Sequence, residues 1–142
     1  MDIRVATICD FAQVREGLLS VLSAGITRVW QTQYPAPLGV MVALIFELAP
    51  GGASIPREVR FRVENADGDR LAEGVGAIQA NPSPEHDPGE MLTLPLVVDF
   101  RSLQLPAAGR YQIVIDPMSD GVDPTVLAFR AGFPSDAGGS QL

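Results

Sequence analysis

The feature that most constrains this chain is a two-residue alternation of apolar and polar side chains that recurs along most of its length. A β-strand turns successive side chains to opposite faces, so alternation marks a strand with one dry and one wet face. In PREVRFRVEN, Val59, Phe61 and Val63 fall on one side, and Arg60, Arg62 and Glu64 on the other. In EMLTLPLVVDF, Leu92, Leu94, Leu96, Val98 and Phe100 form one unbroken face. Pro95 lacks a ladder donor, which predicts a sheet edge or a bulge there. GRYQIVID sets Tyr111, Ile113 and Ile115 against Gln112, Val114 and Asp116, and PTVLAFRA sets Leu127 and Phe129 against Ala128 and Arg130. LGVMVALIFEL is apolar on both faces from Val40 to Phe46, with prolines and glycine on its flanks, and reads as a central strand. RLAEGVGAIQA is a weaker strand, loosened by Gly74 and Gly76. Turn signals separate these runs, the sharpest being Asp67-Gly68, which predicts a type I′ hairpin. The expected fold class is therefore all-β, an antiparallel β-sandwich of about seven to eight strands whose dry faces cover one another.

The chain of 142 residues suits one domain. Residues 1–132 are expected to form it, and 133–142 (FPSDAGGSQL to the end) to be a flexible tail. The formal net charge of −7 disfavours nucleic acid and anionic membrane as partners. No apolar run approaches the ~20 residues of a membrane-spanning helix. MDIRVATICDF has no basic segment leading into an apolar one, so a cytoplasmic location is expected. The single cysteine, Cys9, excludes an internal disulfide, and its apolar neighbours predict a buried thiol. All ten basic residues are arginine. A chain without lysine cannot form a Schiff base through a lysine side chain. The arginine bias, with abundant Ala, Gly, Pro and Val, fits a GC-rich coding sequence. The other reading is a chain that offers no side-chain amine for acylation.

The segment DFAQVREGLLSVLSAGITRVW is ambiguous. Phe11, Val14, Leu18, Val21 and Leu22 recur at helical spacing, Asp10 is a suitable N-cap, and Gly25 a suitable stop. Leu18–Ala24 reads equally as a strand, with Gly25-Ile26-Thr27 turning into another. Here a resemblance bears on the choice. ICDFAQVREGLLSVLSAGITRVW, then VALIFEL, VRFRVENADGDRL and LPLVVDFRSLQLPAAGRYQIVID resemble, in order and in composition, an uncharacterised bacterial family of single-domain all-β proteins, a domain of unknown function. The likeness spans roughly residues 3 to 131. Gly17-Leu18-Leu19 departs from the Gly-Lys-Leu usual in that family. The resemblance implies a C2-like or immunoglobulin-like sandwich and carries no activity. With it, Glu16-Gly17 reads as a turn, Leu18 to Ala24 as a strand and Ile26 to Gln33 as the next, with a short helical turn at Phe11 to Arg15 left open.

Few residue sets suggest chemistry. Asn65, Asp67 and Asp69 cluster at one turn and Asp116, Asp120 and Asp123 around another. Hard oxygen ligands on adjacent loops suit calcium, but NADGD lacks a full calcium-loop pattern. His86, the only histidine, lies in the proline-rich ANPSPEHDPGE, a poor place for a base held rigidly against a nucleophile. Glu47, Glu64, Glu73, Asp99 and Asp116 are the carboxylates available for acid–base work. GVGAIQ fails as a dinucleotide fingerprint. Arg28, Trp30, Arg60 and Arg62 are residue types enriched at binding hot spots and form a candidate partner-binding patch. The expectation is a non-enzymatic binding or assembly module without cofactor, recognising a protein partner or a second copy of itself. The alternatives are a calcium- or small-ligand-binding regulatory domain using the acidic loop tips and, last, a carboxylate-dependent hydrolase.

Overall fold

The computed structural model describes residues 1–119 and 121–137. The chain is all-β with several sheets, one of them curled into a half-barrel. Its elements in order are β1 (Asp2–Arg15), β2 (Leu18–Ala24), β3 (Arg28–Trp30), β4 (Ala36–Pro37), β5 (Met41–Leu48), β6 (Arg57–Asn65), β7 (Arg70–Ile78), β8 (Leu92–Asp99), β9 (Gln104–Leu105), β10 (Gly109–Asp116) and β11 (Thr125–Gly132), followed by a 3-10 turn at Pro134–Ala137. One sheet has the order β2-β1-β5-β8, a second β3-β11-β10-β6-β7, and β4 pairs with β9 alone.

The doubly apolar segment becomes β5, held between β1 and β8. Its two faces feed two separate cores. Val42, Leu44, Phe46 and Leu48 join Ile8 of β1 and, from the second sheet, Val59, Phe61, Val63, Ile113, Ile115 and Phe129 in the main core. Met41 and Ala43 point the other way and pack with Cys9 and Ala12, and Leu19 and Val97 close over them. Cys9 Sγ lies 3.5 Å from the Met41 carbonyl oxygen, and burial with the neighbouring Asp10 charge pushes its pKa up, which suits an inert, structural thiol. Pro95 sits on β8, which among the described strands ladders to β5 alone, the edge position that a proline predicts.

The ambiguous N-terminal segment is a hairpin. β1 runs unbroken through Phe11–Arg15, so there is no helical turn there. Glu16 and Gly17 both have positive φ, 53° and 75°, which is the two-residue I′ turn that matches strand twist. The register Arg15↔Leu18, Val14↔Leu19, Ala12↔Val21 and Phe11↔Leu22 follows from it. The expected strand from Ile26 to Gln33 shrinks to Arg28–Trp30, and it runs parallel to β11, the one parallel pairing among the described strands. The reason is a change of sheet. The Ile26 amide still donates to the Ile8 carbonyl of the first sheet, whereas the Thr27 carbonyl accepts from Arg130 of the second, so the chain crosses between layers there.

The Asp67-Gly68 turn also differs from expectation. Only Gly68 is left-handed, at φ 83°, and the Gly68 amide donates to the Asn65 carbonyl at 3.0 Å. This is a type I turn followed by a left-handed glycine, the longer hairpin connection. Of the expected C-terminal tail, Phe133 packs edge-on against Tyr34 with ring centroids 5.3 Å apart, and residues 138–142 lie outside the described residues. Among the described residues no helix is long and apolar enough to cross a membrane.

Phe46 is fully buried in the main core. Phe46→Ala is expected to lower the unfolding free energy by about 3–5 kcal/mol, measured by urea denaturation, because the core cannot collapse around so large a void.

Candidate functional site

The strand register decides which polar side chains meet. On β10, burial of Tyr111, Ile113 and Ile115 turns Arg110 and Gln112 outward. On β11, burial of Phe129 turns Arg130 outward, and on β3 burial of Val29 does the same for Arg28 and Trp30. Arg110 pairs with Arg130, and Arg130 with Arg28. Three arginines thus stand side by side across three strands, on the outer face of the second sheet. All three are exposed, and none has an ion pair with a described carboxylate. Beneath the row the Tyr111 and Phe129 rings stack, 5.5 Å apart and 14° from parallel, and the Tyr111 hydroxyl donates to the Ala107 carbonyl. The row borders a shallow hollow of about 330 Å³ floored by Ala128.

This arrangement rearranges the expected patch. Arg28 and Trp30 lie on β3, Arg60 and Arg62 on β6, and β11 and β10 stand between them. Trp30 is 37% exposed rather than part of the core. Arg60 is exposed opposite Asp116 in the register but makes no described ion pair. Arg62 turns to Glu64, with Nε 3.1 Å from Oε2. Glu64, on the outward face of β6, is nevertheless only 9% exposed, because Gln112 Nε2 donates to its other carboxylate oxygen and closes over it. The Gln112 hydrogen bond, and after it the Arg62 guanidinium, hold the Glu64 carboxyl below the usual carboxylate range against the opposing effect of burial.

The acidic turns sit at opposite ends of the second sheet. Asn65 pairs with Tyr111 at one end and Asp116 with Arg60 at the other, five residues along β6, roughly 17 Å away. Asn65 Oδ1 accepts from the Asp67 and Asp69 amides at 2.9 and 3.0 Å, so it is spent on shaping its own turn. Asp116 Oδ1 accepts from the Met118 amide at 2.9 Å. Asp123 is exposed before β11, and Asp120 lies outside the described residues. Among the described residues no three of His, Cys, Asp or Glu converge as metal ligands would. His86 Nδ1 accepts from the Ser83 amide at 3.0 Å and lies 2.9 Å from Ser83 Oγ, in an exposed four-residue turn. No described carboxylate orients the other ring nitrogen, so the pair works as a local turn clasp.

The remaining surface of note is the β1–β2 hairpin. Phe11, Val14, Leu18, Val21 and Leu22 are all exposed, Leu18 at 71% and Leu22 at 63%. Arg101, held by Asp99 through bonds of 2.9 and 3.0 Å, reaches over the Phe11 ring at 5.8 Å. Among the described residues, the far side of β2 carries no strand.

The lowered pKa of Glu64 makes its contacts a source of stability that is fully present above the ordinary glutamate range and disappears as pH falls through the lower, folded-state value. Glu64→Gln is expected to cost about 1–3 kcal/mol at neutral pH, and the gap from the parent should close on acidification, as followed by urea melts across the acid range.

No curated protein matches the chain. A model of a family of unknown function, DUF6941, matches residues 4–130, and with nearly its whole length so covered the chain belongs to that family.

Proposed function

We propose that this chain is a non-catalytic β-sandwich assembly module, C2-like or immunoglobulin-like in layout, that joins a second copy of itself through the free edge of β2. The supporting observation is the sequence of that edge. Leu18-Leu19-Ser20-Val21-Leu22 is fully uncharged and reads nearly the same in both directions. In a two-fold antiparallel pairing centred on Ser20, Leu18 faces Leu22 of the other copy, Leu19 faces Val21, and the two serines meet. Apolar and Ser–Ser cross-strand pairs of this kind are favourable, and a two-fold interface requires such self-complementarity.

The other sheet edges are blunted. β8 carries Pro95, β3 is only three residues long, and β7 carries Arg70 and Glu73 with glycines at 74 and 76. Proline, charge and shortness are the usual protections against edge pairing. β2 has none of them. Two copies of net charge −7 repel at a distance, and an edge strand without charge is where they meet at least cost.

Light scattering on the purified chain is expected to give a dimer. Leu18→Glu with Leu22→Glu should yield a monomer of unchanged melting behaviour at low concentration, since both side chains are exposed. Leu18→Arg with Leu22→Glu places opposite charges across the two-fold axis and should restore the dimer. A parent chain that stays monomeric at high concentration, or a charge-paired variant no more dimeric than the like-charged one, would sink this reading.

A further inference from the structure

We propose that the arginine row Arg28–Arg130–Arg110 is a binding site for the phosphate group of a small ligand. This is independent of the β2 edge. Directly opposed like charges on neighbouring strands are unfavourable. Here three guanidinium groups stand in register, Arg110↔Arg130↔Arg28, in a chain that has carboxylates to spare, 17 against 10 arginines. Elsewhere, among the described residues, the chain pairs four of its other seven arginines and leaves Arg15, Arg57 and Arg60 without an ion pair. Arg4, Arg62, Arg70 and Arg101 each have a carboxylate oxygen within 3.3 Å. The row is left without one, over an open hollow.

The chemistry selects the ligand class. A phosphate monoester carries a charge of about −1.5 to −2 and three acceptor oxygens, and planar guanidinium forks engage such oxygens two at a time. One carboxylate would occupy a single arginine and leave the other two opposed. Strands lie about 4.8 Å apart, so the row spans roughly 10 Å, the scale of one or two phosphate groups. The Ala128 methyl keeps the floor low between the arginines, and Thr27 adds a hydroxyl at the rim of the hollow. A second hollow of about 280 Å³ shares Arg110, Tyr111 and Ala128 with the first and extends the concave surface towards Gln112 and Asn65, room for the body of a small ligand. The local positive charge lies within a chain of net charge −7, which disfavours a long nucleic-acid strand and favours a compact anion.

Inorganic pyrophosphate, titrated into the full chain by calorimetry at low ionic strength, is expected to bind one per chain. Arg130→Gln, at the centre of the row, should weaken binding at least tenfold, while Arg60→Gln, on β6, should leave it unchanged. A second readout does not depend on affinity. Without anion, Arg130→Gln should melt roughly 2 °C above the parent, because it relieves the opposed charges, and pyrophosphate should raise the melting temperature of the parent alone. Failure of pyrophosphate to bind, equal binding by Arg130→Gln, or equally tight binding of citrate would each overturn the assignment. The first two remove the site and the third its preference for phosphate.

Discussion

A run that is apolar on both sides, Val40 to Phe46, cannot rest against water on either face, and the arrangement of the chain follows from that. One face is served by the second sheet, which contributes Val59, Phe61, Val63, Ile113 and Ile115. Among the described residues, the other face has no second layer of comparable size. It is covered by the same sheet bending over itself. Cys9, Ala12 and Ala43 are small enough to let backbones approach, the Ala12 amide donates to Met41 Sδ at 3.4 Å, and Leu19 and Val97 seal the top. Of β2, only Leu19 is turned into this minor core. The remainder of that strand is left in water, which is why an apolar edge exists at all.

The fold was legible in the sequence wherever one face of a strand is wet. Val59, Phe61 and Val63 are buried and Arg60 is exposed, as alternation requires. The doubly apolar β5 and the proline-marked edge at β8 were equally readable. β1 was not, because its inward and outward residues do not alternate cleanly. Its ladder to β5 shifts between Ile3 and Val5, and the left-handed Ser23 interrupts its ladder to β2 opposite Asp10. The helical spacing of Phe11, Val14, Leu18, Val21 and Leu22 does not mark a buried stripe. A tight turn at Glu16-Gly17 folds the segment so that Phe11 faces Leu22 and Val14 faces Leu19, and all five side chains of that spacing stay exposed.

The site was half legible. Parity alone sent Arg110 and Arg130 to the outer face, as the alternation of Tyr111 with Gln112 and of Phe129 with Ala128 already implied. What parity cannot supply is register between strands distant in sequence. Arg28 and Arg110 are 82 positions apart, and only the pairing of β3 with β11, and of β11 with β10, makes them neighbours. The same lack of register joined Arg28 to Arg60 and Arg62 in the expected patch, although two strands separate them. Glu64 escaped for a related reason. Its strand position is outward, and its burial comes from Gln112 on the next strand.

The two surfaces belong to different sheets, and the connection between them is short. β2 ends at Ala24 and the first arginine of the row is Arg28, so Gly25, Ile26 and Thr27 alone separate the edge strand from the arginine row. This link is anchored. The Gly25 amide donates to Thr7 Oγ1 at 2.8 Å and the Ile26 amide to the Ile8 carbonyl at 3.0 Å, both on β1. The Thr27 carbonyl then accepts from the Arg130 amide at 2.9 Å on the second sheet. Each residue of the crossover is thus hydrogen-bonded to a strand of one sheet or the other. The proposed self-pairing and the proposed anion site use different sheets, so a two-fold pair of chains formed through β2 would present two intact arginine rows.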